Sequence, residues 1–117
     1  MQTTKTKTKT FCKTIEKIDD WSITGDIALG SSIGKIYDLS CAILNCTADS
    51  SITLQIKKLA TPTAAATNIG TAKTIDIANA TTCSFGDIEI AAGQTLLLAV
   101  TSETNNVRAI EITGKVI

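Results

Sequence analysis

The side chains in this sequence that could carry chemistry are its carboxylates and its four cysteines, and they must act without histidine, which is absent. Histidine is the usual proton shuttle near neutral pH and the commonest metal ligand. A serine or cysteine nucleophile would therefore lack its customary base. Paired carboxylates can hydrolyse glycosides when they flank a substrate cleft. The acids available for that are Asp19, Asp20, Asp26, Asp87, Glu89, Glu103 and Glu111. Asp19 and Asp20 are adjacent, so in extended chain they point to opposite sides. Asp87 and Glu89 lie at a predicted turn, and only Trp21 and Tyr37 could form a sugar-stacking wall. This pattern argues against turnover, and we expect no enzyme.

Ligand binding is only slightly better provided for. Asp19, Asp20, Asp26 and Asp49 fall in predicted loops and could offer hard oxygen ligands to calcium, but no twelve-residue calcium loop is present. We read them as solvated turn residues. Cys12, Cys41, Cys46 and Cys83 show no CxxC spacing, so zinc would require four thiolates gathered from distant strands. A cytosolic origin argues against disulfides. The expectation is four free thiols buried as small apolar side chains, with no cofactor and no metal. A sugar site needs aromatic platforms, and the choice is Phe11, Trp21, Tyr37 and Phe85. Alternation assigns Tyr37 and Phe85 to the core, which leaves Trp21 as the candidate glycan contact. Asn45-Cys46-Thr47 and Asn79-Ala80-Thr81 match the glycosylation acceptor pattern, and we read both as chance.

The elements that would position these groups are strands. Threonine and isoleucine make up about a third of the chain and aromatics only 3%. β-branched side chains pack well on a pleated surface. At 117 residues, with 44% apolar content, one domain can bury a core without help from metal or disulfide. The longest purely apolar run, Leu96-Leu97-Leu98-Ala99-Val100, is far short of the ~20 residues that cross a bilayer as a helix. Residues 1–10 are polar and carry no apolar signal-peptide segment. We expect a protein made in a cytoplasm and not associated with membrane.

Charge divides the chain in two. Five lysines (Lys5, Lys7, Lys9, Lys13, Lys17) against Glu16 give the first 18 residues a net charge of +4, while the whole chain is neutral. A basic Thr/Lys arm, residues 1–10, thus precedes an acidic body, residues 11–117. Alone the arm cannot bury enough surface to order itself. It could bind an acidic protein surface, or the acidic body of a neighbouring copy, through Lys5, Lys7 and Lys9. Nucleic acid is disfavoured, because lysines without arginine or interleaved aromatics supply no base reading.

Two-residue periodicity runs through the body. Residues 11–18 form the first strand, and residues 33–46 the longest, with Tyr37, Leu39, Cys41 and Ile43 on one face. Ile52, Leu54 and Ile56 alternate with Thr53, Gln55 and Lys57, a strand with one wet face. Residues 60–71, with the only proline, form a surface loop. Ile75 and Ile77 mark a short strand, Gly86-Asp87 a turn, and Ala91-Ala92-Gly93-Gln94 another. Leu96, Leu98 and Val100 share a face. Asn105-Asn106 makes a hairpin tip, and Ile110, Ile112 and Val116 line the last strand. About eight short strands and no amphipathic helix predict an all-β, antiparallel two-sheet β-sandwich. Leu44 and Leu97 fall on the faces opposite their strands' apolar rows, which predicts that both are buried between copies in an oligomer.

Three stretches resemble a family. They are Ile33-Gly34-Lys35-Ile36-Tyr37, Ser51-Ile52-Thr53-Leu54-Gln55-Ile56-Lys57-Lys58, and Ile88-Glu89-Ile90-Ala91-Ala92-Gly93-Gln94-Thr95-Leu96. Together residues 33–116 resemble the small jelly-roll module of bacteriophage virion proteins, which include head fibres, capsid decoration proteins and tail-fibre modules. The resemblance implies a jelly-roll-like sandwich and brings no catalytic residue with it. It also implies a virion structural protein, a capsid decoration or head-fibre component, that assembles as a homotrimer. Its partner would be the major capsid protein or another virion protein, and the basic arm would serve for attachment. The alternative is a receptor- or carbohydrate-binding module of a tail fibre.

Overall fold

A computed structural model describes residues 9–16, 26–46, 50–103 and 107–116 of the chain. These form nine strands: β1 (Lys9–Glu16), β2 (Asp26–Ser31), β3 (Gly34–Cys46), β4 (Ser51–Leu59), β5 (Thr67–Asn68), β6 (Lys73–Asp76), β7 (Thr82–Ile90), β8 (Thr95–Glu103) and β9 (Val107–Val116). No helix occurs among the described residues. Every pairing is antiparallel, and the strands divide into two sheets. One has the order β1-β9-β3-β7; the other has the order β2-β8-β4-β5, with β6 also on β4.

The order follows from a simple folding of the chain. Pairings β1–β9, β2–β8, β3–β7 and β4–β6 join the first half to the second in reverse, as in one long hairpin. The tip of that hairpin is the segment around Pro62. Wrapping the hairpin adds β3–β9 and β4–β8 and closes two sheets. With β5 and β6 sharing the place beside β4, this is the strand order of a jelly-roll sandwich. It also brings the two ends of the described chain together, Lys9 opposite Val116.

The core lies between the sheets. Ile36 and Leu39 of β3, Ile52 and Leu54 of β4, Leu98 of β8 and Ile110 of β9 are fully buried there. Each such side chain stabilises the fold by roughly 1.5–3 kcal/mol relative to exposure. Isoleucine and leucine at alternate positions supply these inner rows, so the two-residue period is what selects strands. The Ala91-Ala92-Gly93-Gln94 turn forms as expected. The Gln94 amide N–H donates to Ala91 O at 3.0 Å, and the Ala91 N–H donates to the Gln94 side-chain oxygen at 3.0 Å. Gly93 adopts φ 82°, a conformation that suits glycine. Ser32 docks the preceding loop on this turn: its N–H donates to Gln94 O and its hydroxyl accepts the Gly93 N–H, both at 2.9 Å.

Several local expectations are corrected. The β3–β7 register shifts between Ile36 and Leu39 and the β3–β9 register between Tyr37 and Ser40, around Asp38 at φ 54°. This β-bulge inserts an extra residue and reverses the phase of the alternation. Ile36 therefore faces the core, while Tyr37 lies in the outer row, half-buried and opposite Lys115. Gly86-Asp87 is not a turn. β7 runs through it as the matching bulge, with Gly86 at φ 76° opposite Leu39 and the Asp87 carboxylate accepting the Asp38 N–H at 3.0 Å. Asn105 and Asn106, expected at a hairpin tip, lie outside the described residues; β8 and β9 belong to different sheets. The long loop contains the two-residue strand β5.

The outer face of β4 is not uniformly wet either. Gln55 is buried, and its Nε2 donates to Ile56 O, Ile69 O and Gly70 O at 2.8, 3.2 and 3.3 Å. One amide thus ties the β5 segment to β4.

Candidate functional site

The residues picked out as catalytic candidates are dispersed. Asp26 at the start of β2 pairs with Lys57 of β4 at 3.7 Å, bridging over β8. Asp87 is engaged by the Asp38 backbone. Glu89 and Glu111 belong to the same sheet but face different ends of β3, opposite Lys35 and Ala42. Seven residues of strand separate those two positions, about 20 Å, against the roughly 5–9.5 Å between carboxylates that flank a glycosidic bond. Asp19, Asp20 and Asp49, and the side chain of Glu103, lie outside the described residues. Among the described residues no group of three or more His, Cys, Asp or Glu side chains is gathered as a metal site. No helix among them is long and apolar enough to cross a membrane.

All four cysteines are free thiols. Cys41 fits the expectation of burial; Cys12 corrects it, standing exposed on β1 opposite Thr113. Cys41 and Cys83 are direct cross-strand partners on β3 and β7. Burial, and after it the neighbouring Cys83, pushes the Cys41 thiol well above its ordinary value. Burial also raises Cys83. Local desolvation and then the Glu111 carboxylate raise Cys12. Raised pKa values favour the thiol over the nucleophilic thiolate.

Of the binding residues expected from sequence, Lys5, Lys7 and Trp21 lie outside the described residues. Lys9 is exposed and opens β1, so the last two arm residues, Lys9 and Thr10, are already paired with Val116 and Lys115 of the same chain. Leu44 stands out at 51% exposure, beside a register shift at the end of β3. Leu97 does point away from the inner row, but it is only 5% exposed within the single chain, so it offers no open surface to another copy.

One constellation escaped the sequence reading. Tyr37 ends a row that runs Thr10, Lys115, Tyr37 across β1, β9 and β3. Lys35, two residues earlier on the same outer row, places its ammonium 5.0 Å from the centre of the Tyr37 ring, within cation–π range. Unbroken alternation put Tyr37 in the core. The signal available was its setting between Lys35 and Asp38, which suits an outer row better than an inner one.

No protein-family model matches the chain, and no curated protein sequence matches it.

Proposed function

We propose that this chain is a non-enzymatic structural protein of a virus particle, a bacteriophage capsid decoration or head-fibre component. It works by binding, is made in the host cytoplasm and is carried on the virion. The observation that bears most weight is the junction of arm and body. The last two residues of the basic leader, Lys9 and Thr10, are already part of β1, an edge strand of a rigid jelly roll, and pair there with β9. A tether anchored in a sheet transmits force to the whole sandwich. The resemblance of residues 33–116 to phage virion modules and the jelly-roll strand order support the same reading.

One edge of each sheet, β1 and β2, is guarded against association by strand addition. Lys13 stands opposite Ile112, in the inner row of β1 between Phe11 and Ile15, yet it is exposed. A charge in the apolar row of an edge strand is a known guard against further pairing. β2, an edge of the other sheet, is interrupted by a bulge between Ala28 and Gly30. Contacts with the major capsid protein or another virion protein would then run through the arm and the outer faces. Homotrimer formation, proposed from the resemblance, would draw on Leu44 and not on Leu97.

Immunogold electron microscopy of particles from the chain's native source tests this reading. Label distributed over the capsid is expected. Label confined to tail tips would favour the receptor- or carbohydrate-binding alternative, and unlabelled particles would contradict both.

A further inference from the structure

We infer that Cys41 and Cys83 form a site for a reversible disulfide that staples the edge strand β7 to β3. The oxidant it takes is a low-molecular-weight disulfide of the oxidised-glutathione class. The inference goes beyond the virion reading above and does not depend on it.

Register supplies the geometry. Cys41 and Cys83 are directly opposed in the β3–β7 ladder. Two positions further along, the Ile43 N–H donates to Thr81 O at 2.9 Å. Hydrogen-bonded pairs recur every second residue in an antiparallel ladder, so Cys41 and Cys83 also occupy one, with Cα atoms about 5.5 Å apart. Disulfides bridge Cα atoms roughly 4.4–6.8 Å apart. Opposed side chains leave a sheet on the same side. Here both go inward: Cys41 is buried in the core, and Cys83 packs against it.

Neither of the other two cysteines is placed this way. Cys12 is exposed on β1 opposite Thr113, and Cys46 lies opposite Val107. Cys46 is also five residues beyond Cys41 on the same strand, about 17 Å away.

Cys83 is the point of entry, being half-buried where Cys41 is 1% exposed. Burial raises the Cys83 thiol, but the Cys41 backbone and Lys73 pull it the other way. Both influences on Cys41, burial and then Cys83, push its thiol up. The Cys83 thiolate attacks one sulfur of oxidised glutathione, forms a mixed disulfide and expels a glutathione thiolate. Cys41 then gives up its proton, attacks the Cys83 sulfur and expels the second glutathione thiolate. In sum, two protein thiols lose two protons and two electrons, and one oxidised glutathione becomes two reduced ones. Access to the buried sulfur comes from β7 itself, which ends its sheet and is paired there with β3 alone. Local opening of such an edge exposes Cys41.

The bond closes a loop that contains β4, β5 and β6, and so restricts the unfolded chain. It also holds an edge that has no other guard of the kind seen in β1. β7 contains no lysine, and its inward residues, Cys83, Phe85, Ile88 and Ile90, are all apolar. A reducing compartment keeps the pair as thiols, and an oxidising one closes the staple.

The test uses the full chain and a Cys12→Ala/Cys46→Ala variant, each incubated with oxidised glutathione in the folded state and, separately, during refolding from urea. Mass spectrometry of unreduced peptides should show the Cys83 peptide joined to the Cys41 peptide within one chain, at a mass two hydrogens lower. Circular dichroism should show Tm roughly 5–15 °C higher in the oxidised protein than in the same protein after dithiothreitol. Cys83→Ala should lose that difference. Because each variant is compared with its own reduced form, a general loss of stability does not obscure the result. Linkage in either preparation with the higher Tm supports the staple. Absence of the linkage in both preparations would overturn it. So would a linkage that leaves Tm unchanged or lower, or a Tm difference that survives in Cys83→Ala.

Discussion

Gly114→Ala isolates the packing of the bulged region, because this glycine is required for space and not for backbone conformation. Gly114 lies in β9 opposite Phe11, and its φ is not positive. A β-carbon there would sit 2.5 Å from Ile36 Cγ2, 3.4 Å from Tyr37 O and 3.5 Å from Leu39 Cδ1. Ile36 is 0% exposed and cannot swing into solvent. Overpacking of this kind costs about 1–3 kcal/mol. Replacing a strand glycine recovers roughly 0.5–1 kcal/mol through lower unfolded-state entropy, so the clash wins by about 1–2 kcal/mol. For a domain of this size that lowers Tm by roughly 4–8 °C.

The partner in the clash is a methyl on Cβ, which leucine lacks. Ile36→Leu alone should cost less than about 1.5 kcal/mol, and in combination it should relieve part of the Gly114→Ala penalty. The cycle should therefore show a favourable coupling of about 0.5–1.5 kcal/mol. Urea unfolding followed by circular dichroism measures all four corners. A neutral or stabilising Gly114→Ala, or strict additivity with Ile36→Leu, would refute the close approach of β9 to the β3 bulge.

Gln55→Ala removes the donor to three carbonyls, and should cost about 1–3 kcal/mol while hastening proteolysis within residues 60–72. Leu97→Ser should destabilise the isolated chain by more than about 2 kcal/mol. Leu44→Ser should leave stability within about 0.5 kcal/mol and lower the mass of any oligomer in light scattering. The thiols predict a pH dependence. Cys41 and Cys83 hold their protons above the ordinary value of 9.0 in the folded chain. Their contribution is therefore complete below pH 9 and is lost as pH rises, because only the unfolded state then releases protons, at up to about 1.4 kcal/mol per pH unit per thiol. The urea midpoint should fall between pH 8 and pH 10, with a shallower slope in Cys41→Ala/Cys83→Ala. With iodoacetamide at pH 8, Cys12 should react first and Cys41 last, as read by mass spectrometry of peptides.

The sandwich was legible because its inner rows obey the two-residue period almost throughout: Ile52, Leu54, Ile56 and Leu96, Leu98, Val100 are all buried as that period requires. Two kinds of information were not. A bulge shifts the phase without leaving a composition signal, which is why Tyr37 and Gly86-Asp87 were misplaced. Asp38 at φ 54° is a non-glycine residue in a conformation that few would assign from sequence. Burial of an outward side chain depends on what packs over it from elsewhere in the chain. Gln55 is covered by residues 69 and 70, fourteen or more positions away, and Leu97 is likewise enclosed. The candidate surface was half visible: the lysine leader stood out, but the pairing of Lys115 with Tyr37 required the β3–β9 register, which joins residues far apart in sequence.

Attachment through the leader is tested most directly by cosedimentation. Particles from the native source, stripped of this protein, would be mixed with the full chain or with a chain beginning at residue 9, where β1 starts. The account predicts that the full chain pellets with the particles while the shortened chain, still folded by circular dichroism, stays in the supernatant. Equal pelleting of the two would contradict it.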